Sequence, residues 1–306
     1  QAFHLEILKK GLLSDVVMDS ALINMYGKIG MIPEAETVFC SKLIQHNSVT
    51  LNVMISAYIE NGYVEKALEL YTKMEVDCIR LDAVTILCVL QACSETTNLH
   101  LCKRLHFSII STGLDTSSTL MNTLLNAYGC CASLLHASAV FSSMPEPDMV
   151  SWNACIAGYA HDGNLLGCLQ VFQRMHFTGV KADCVTILSL LYACSHDGKV
   201  NEGLEYFELL MTEFDLYPDL KHYVAMLDLL GRNGDFTKIE HALQKGLPME
   251  TNVSVWLCVL GACRTHGNIE LGNRVFENAV KTTPDNTSAY ILLSNLYVNA
   301  TMVHHP

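Results

Sequence analysis

A chain of 306 residues that is 50% hydrophobic, only 16% charged and carries just seven prolines is too apolar to stay disordered. Its apolar residues fall in short periodic runs broken by polar ones, and none of these reaches the length of a membrane span. Nineteen basic against 31 acidic side chains give a net charge of −12, which argues against non-specific nucleic-acid binding driven by clustered cations.

In chain order, residues 1–15 read as the second helix of a pair whose first helix is missing. Residues 16–47 form a helix pair with Leu22, Ile23, Met25 and Tyr26 on the first helix and Ala35, Val38 and Phe39 on the second. Pro33 falls near the start of that second helix, where a missing amide hydrogen is harmless. Residues 48–82 restate the outline with Asn52-Val-Met-Ile-Ser-Ala-Tyr58, Gly62 and Met74. Residues 83–117 differ in kind, because Leu87 stands where the neighbours have Asn, and the second helix carries Leu101, Leu105, His106 and Ile109. Residues 118–148 are shorter, run through Asn122-Thr-Leu-Leu-Asn-Ala-Tyr128, and close on Met144-Pro-Glu-Pro-Asp148, whose prolines stop the helix.

The clearest copy is 149–183. Ile156, Tyr159 and Ala160 mark one helix, Gly163 and Asn164 break it, and Leu165, Leu169, Val171, Phe172 and Met175 mark the next. Residues 184–219 and 220–252 continue the series, 253–286 opens with VSVWLCVLGACRTHGNIELGNRV, and 287 onward starts a last pair. That pair is expected to be completed by further chain or covered by a partner. Ala92-Cys93 and Ala193-Cys194 stand 101 residues apart, the span of three successive repeats, so the array cycles through three repeat types. Helices of about 11 to 14 residues are marginal alone, and stacking of neighbours supplies their stability. Stacked pairs wind into a superhelix whose first helices line one concave face.

The strings NACIAGYAHDG, NTLLNAYG, HYVAMLDLLGRNGD and VWLCVLGACRTHGNIELG resemble the plant pentatricopeptide-repeat (PPR) proteins, specifically the subclass with alternating P, L and S repeats. Repeats 16–47, 48–82, 83–117, 118–148, 149–183, 184–219 and 220–252 look like S, P, L, S, P2, L2 and S2. Residues 253–306 look like an incomplete E region. The resemblance implies an all-α, right-handed α-α superhelix, a solenoid of tandem helix-turn-helix repeats. It also implies that each repeat reads one RNA base with its fifth and last residues. Tetratricopeptide repeats are also helix pairs, but they do not cycle through 35, 31 and 35 residues.

Carried onto this chain, the reading pairs are Ser20 with Asn47, Asn52 with Asp82, Asn122 with Asp148 and Asn153 with Asp183. The chemistry fits, since Ser and Asn offer donors and acceptors to a base edge and Asp accepts. Ser with Asn implies adenine and Asn with Asp implies uracil, which gives 5′-A-U-x-U-U-3′. Leu87 and Leu188 offer no base-edge hydrogen bond, and Val224 with Asn252 discriminates poorly. A first-turn cap is the bland reading of any single Asn, yet a cap does not require the distant Asp. Residues 39–47, FCSKLIQHN, are one longer than the usual joint, which puts the placement of Asn47 in question, and Lys245-Gly246 weakens the last turn of 220–252.

No chemistry of bond making is legible. A cytidine deaminase needs a Cys-x-x-Cys pair and a His-x-Glu, and the chain has no Cys-x-x-Cys, while its His4-Leu-Glu6 has no such partner. Cys130-Cys131 and His304-His305 are adjacent and point apart on a helix, so no metal or cofactor is expected. Cys93, Cys155, Cys194, Cys258 and Cys263 sit on apolar faces as small hydrophobes, consistent with a reducing compartment. The resemblance implies sequence-specific binding of single-stranded RNA in the mitochondrion or chloroplast. It further implies placement of C-to-U editing with the deaminase supplied by another protein or a further domain. A repeat scaffold for protein partners and a degenerate fragment are the alternatives.

Overall fold

The computed structural model describes residues 16–40, 47–77, 79, 81–244 and 252–303. The half-repeat expected at 1–15 with His4-Leu-Glu6, most of the 39–47 joint, Lys245-Gly246 and His304-His305 lie outside the described residues. Among those described, all regular structure is helical: α1 (Val16–Lys28), α2 (Ile32–Cys40), α3 (Ser48–Glu60), α4 (Val64–Val76), α5 (Ala83–Thr96), α6 (Leu99–Ser111), α7 (Ser118–Cys130), α8 (Leu134–Ser143), α9 (Met149–His161), α10 (Leu165–Phe177), α11 (Cys184–Asp197), α12 (Val200–Thr212), α13 (Leu220–Arg232), α14 (Phe236–Gln244), α15 (Val253–His266), α16 (Ile269–Thr282) and α17 (Thr287–Val303). A single 3-10 turn, Leu114–Thr116, joins α6 to α7. The architecture is an all-α solenoid of tandem helix-turn-helix repeats, and no described helix is long and apolar enough to cross a membrane.

The chain divides into two compact bodies, Gln1–Ala154 and Cys155–Pro306. In the first, α1, α3, α5 and α7 pack one against the next, and each also packs against the second helix of its own pair. Ile23, Tyr26, Met54, Ile55, Ile86, Leu90, Leu120 and Leu124 are almost fully buried along this seam. Each such side chain contributes about 1.5–3 kcal/mol, which short helices cannot supply by themselves. Gly27 sets how closely α1 and α3 approach, since a Cβ there would stand 2.7 Å from the Cβ of Ala57. In the second body α11, α13, α15 and α17 form the corresponding row.

The break inside each pair is a left-handed residue. Gly62 takes φ 79° after α3 and Gly163 φ 71° after α9, a region open to glycine at no steric cost. Thr97 and Ala132 occupy the same place after α5 and α7 at φ 50° and 51°, where a Cβ is strained. After the break an asparagine often caps the second helix: Asn98, Asn164 and Asn268 accept from the amides of Leu101, Gly167 and Leu271. Helix α8 stops at Ser143, ahead of Pro145 and Pro147, and at 10 residues is shorter than the expected range.

Ion pairs link successive second helices, Lys66 with Glu36, Arg104 with Glu75 and Arg274 with Glu240. All three are solvent-exposed and each is worth at most about 1 kcal/mol. The described cysteines are free thiols. Burial pushes the thiols of Cys93, Cys155, Cys194 and Cys258 up to about 12 and that of Cys263 to about 11, so they remain protonated packing residues.

Candidate nucleic-acid interface

The last residue of one repeat is the N-cap of the next repeat's first helix. Asp82 accepts from the amide of Thr85 at 2.8 Å and Asp148 from that of Ser151 at 2.9 Å. Asp183 accepts from Thr186 at 2.9 Å and Asn47 from Thr50 at 2.9 Å. At Asp148 and Asp183 the bond is reciprocated, their own amides donating to Ser151 Oγ and Thr186 Oγ1 at 3.2 Å. This satisfies two of the amides a helix start leaves open. Capping therefore belongs to the last residue of each pair, not to the Asn at the fifth position.

The fifth residue then leans onto this cap. Asn52 is buried on the second turn of α3, and its Nδ2 donates to both carboxylate oxygens of Asp82 at 3.0 Å. Its Oδ1 accepts from the Thr85 hydroxyl at 2.6 Å. Asn122 repeats the arrangement on α7, donating to Asp148 at 3.1 Å and accepting from Ser151 Oγ at 2.7 Å. Ser20 donates to the carbonyl of Val16 at 2.8 Å and lies 3.4 Å from Thr50 Oγ1, whose hydroxyl is 3.0 Å from Asn47 Oδ1. Three of the four expected pairs are thus brought together around a shared hydroxyl. In the fourth, Asn153 is buried on α9 in the first body and Asp183 caps α11 in the second.

An amide has two N–H donors and two acceptor lone pairs. One N–H of Asn52, forked between the two oxygens of Asp82, or one N–H of Asn122 can satisfy the Asp, and one lone pair the hydroxyl, which leaves one donor and one acceptor on each amide for a further partner. The carboxylate of Asp148 is held below its ordinary range, first by the backbone amide of Ser151, against a smaller opposing effect of burial, then by the Ser151 hydroxyl and Asn122. Three residues before the fifth positions 52, 87, 153 and 188, on the same helix face, Val49, Val84, Val150 and Val185 are 52%, 54%, 59% and 51% exposed, whereas Thr119 holds that place before Asn122. The valines leave exposed apolar surface one turn from those fifth residues.

Sequence reasoning missed both the hydroxyls and these valines. Asp82-x-x-Thr85, Asp148-x-x-Ser151 and Asp183-x-x-Thr186 carry a helix-start spacing that was available to find the hydroxyls. Among the described residues no group of His, Cys, Asp and Glu is arranged to hold a metal ion.

Helix pairs in tandem, with a polar fifth residue tied to the capping residue of the following pair at Asn52 with Asp82 and Asn122 with Asp148, define a helical-repeat solenoid in which this arrangement recurs at some junctions and not at those of Leu87, Leu188 and Val224. The PPR repeat family matches residues 46–95 and 147–208, and the PPR repeat matches 20–41. The Arabidopsis thaliana pentatricopeptide repeat-containing protein At4g33990 is 35% identical over 297 residues, covering 96% of this chain and 36% of the relative. Two further Arabidopsis relatives, one mitochondrial (At3g02330) and one chloroplastic (At4g35130), are each 33% identical, over 98% of this chain and 35% and 37% of theirs. The solved structure of PPR10 in complex with an 18-nt psaJ RNA element superposes with a TM-score of 0.78 at 16% identity, covering 96% of this chain and 44% of that one. The chain is a pentatricopeptide-repeat protein of solenoid fold, related to many such proteins of plants. It spans 36% to 43% of the length of the first relatives it matches.

Proposed function

We propose that this chain binds single-stranded RNA and reads it one base per repeat, with the preference 5′-A-U-x-U-U-3′ from Ser20 to Asp183. The observation that carries the reading is the recurrence, at Asn52 and Asn122, of an amide gripped on one side by Asp and hydroxyl with one donor and one acceptor left over. An exposed valine lies one turn away from Asn52, as it does from Asn153, to carry a base's face. The likeness to an RNA-bound repeat protein is in keeping with this. In an electrophoretic shift series with single-base changes, replacing either uracil that faces Asn122 or Asn153 should weaken binding roughly 5- to 100-fold. Indifference to both changes would sink the reading.

The same proposal places the chain in the specification of C-to-U editing sites in organellar transcripts, with the deaminase supplied elsewhere. In this scheme repeat 220–252 faces the fourth nucleotide upstream of the edited cytidine, so the five bases run from the tenth to the sixth. Relatives named for the mitochondrion and for the chloroplast support an organellar setting without choosing between them. Crosslinking in organelle extract tests this by recovering a transcript that carries the motif upstream of an edited position. A scaffold for proteins is the second reading, favoured by Phe107, Leu135 and Phe177, which are 74%, 78% and 85% exposed on second helices. Recovery of proteins without RNA would support it.

A further inference from the structure

The fifth residue of a repeat and the third residue of the following helix are chemically matched along the chain. After the polar residues Ser20, Asn52, Asn122 and Asn153 come the hydroxyls Thr50, Thr85, Ser151 and Thr186. After the apolar residues Leu87, Leu188 and Val224 come Leu120, His222 and Val255. Helix capping does not demand this match. Ser117 caps α7 with Leu120 in third place, and Asn252 caps α15 with Val255 there. His222, in third place after the apolar Leu188, joins its cap Asp219 and turns its other ring nitrogen to the carbonyl of Cys184 at 2.8 Å. A hydroxyl is present where there is a polar group for it to hold.

We propose that Thr85 and Ser151 are positioning residues that set which base Asn52 and Asn122 accept, by fixing which end of each amide donates. The proposal rests on the RNA-binding reading above. The two ends of an asparagine amide are nearly equal in shape and opposite in hydrogen-bonding sense. Asp82 can only accept, so it draws Nδ2, and the Thr85 hydroxyl, 2.6 Å from Asn52 Oδ1 and 2.9 Å from Asp82 Oδ1, holds the Asn52 Oδ1 at the other end through the shorter of its two contacts. The remaining donor and acceptor then face the base in one order. Uracil offers an N–H flanked by two carbonyl oxygens and satisfies a donor and an acceptor in either order. Cytosine offers its amino donor only on the side away from the sugar and so fits the amide in one order alone, and an amide fixed in the opposite order separates the two pyrimidines. Without the hydroxyl, only the Nδ2 end is held, by the two carboxylate oxygens of Asp82, and the amide swings about that end, so that separation is lost.

The test uses the complete chain with Thr85→Val and Thr85→Ser, and RNA oligonucleotides carrying U or C at the second position of 5′-A-U-x-U-U-3′. The U-to-C exchange at the fourth position, facing Asn122, is the internal control. Fluorescence anisotropy should give the wild type a U-over-C preference of ~10-fold at the second position, in the range of a bidentate base contact. Thr85→Val should reduce that preference to about 2-fold or less while the fourth-position preference stands. Thr85→Ser should restore it. Equal weakening of both RNAs with the preference intact would overturn the proposal and leave Thr85 with a purely structural part. If Thr85→Val does not fold, Ser151→Ala read at the fourth position decides by the same criterion. A wild-type chain that binds none of these RNAs removes the RNA-binding reading and this inference together, a result distinct from an unchanged preference.

Discussion

Asp82 serves two neighbours at once, the amides at the start of α5 and the Nδ2 of Asn52, and its substitutions separate the two. Asp82→Ala should cost about 1 kcal/mol through the lost cap, read as a lower midpoint in urea unfolding. Asp82→Asn keeps a capping oxygen and should stay close to wild type in stability, while its altered polarity shifts the base preference of Asn52 in the binding series. Asp148 adds a pH dependence. Its folded carboxyl lies below the ordinary value of 3.8, so its stabilisation is fully present above that value and is lost as pH falls through the lowered one. Urea midpoints of wild type and Asp148→Ala should differ by a constant amount down to about pH 4 and converge below it. The pairing of Asn with a distant Asp came from the family resemblance, which singles out the fifth and last residues of a repeat, and the repeat period only fixed which residues those are. The hydroxyl between them was not, because capping was sought at the Asn and the three-residue spacing after the Asp was left unread.

At the scale of the helix, the periodic apolar residues and the Gly breaks made the pairs legible, since both follow from local sequence. The left-handed breaks at Thr97 and Ala132 were hidden, because neither residue advertises that conformation and the pairing of helices imposes it. Ala132→Gly should therefore raise stability by about 1 kcal/mol, measured as an increased urea midpoint, and an unchanged or lower midpoint would show that the backbone there is not strained. Gly27 was equally silent in sequence, as only the contact with Ala57 reveals what a side chain would meet.

For the whole chain, the charge of −12 and the pairing of Lys28, Lys66, Arg104, Arg232, Lys238 and Arg274 with carboxylates argue against a concentrated cationic track for phosphates. RNA affinity should then depend weakly on salt, with a slope of log K against log salt of about −2, as expected for roughly three phosphate contacts on a single strand. A slope several times steeper, measured by titrating the complete chain at increasing KCl, would show that the phosphate backbone rather than the bases dominates binding. The overlap of Asp82 and Thr85 with the first turn of the next helix bears on recombination. A stretch cut at the repeat boundary after Asp82 leaves Thr85 behind, so a transplanted 48–82 arrives with its reader half held. If the proposed reading holds, the segment that should be exchangeable while keeping its base preference runs from the second turn of one first helix through the third residue of the next, out of phase with the sequence repeat.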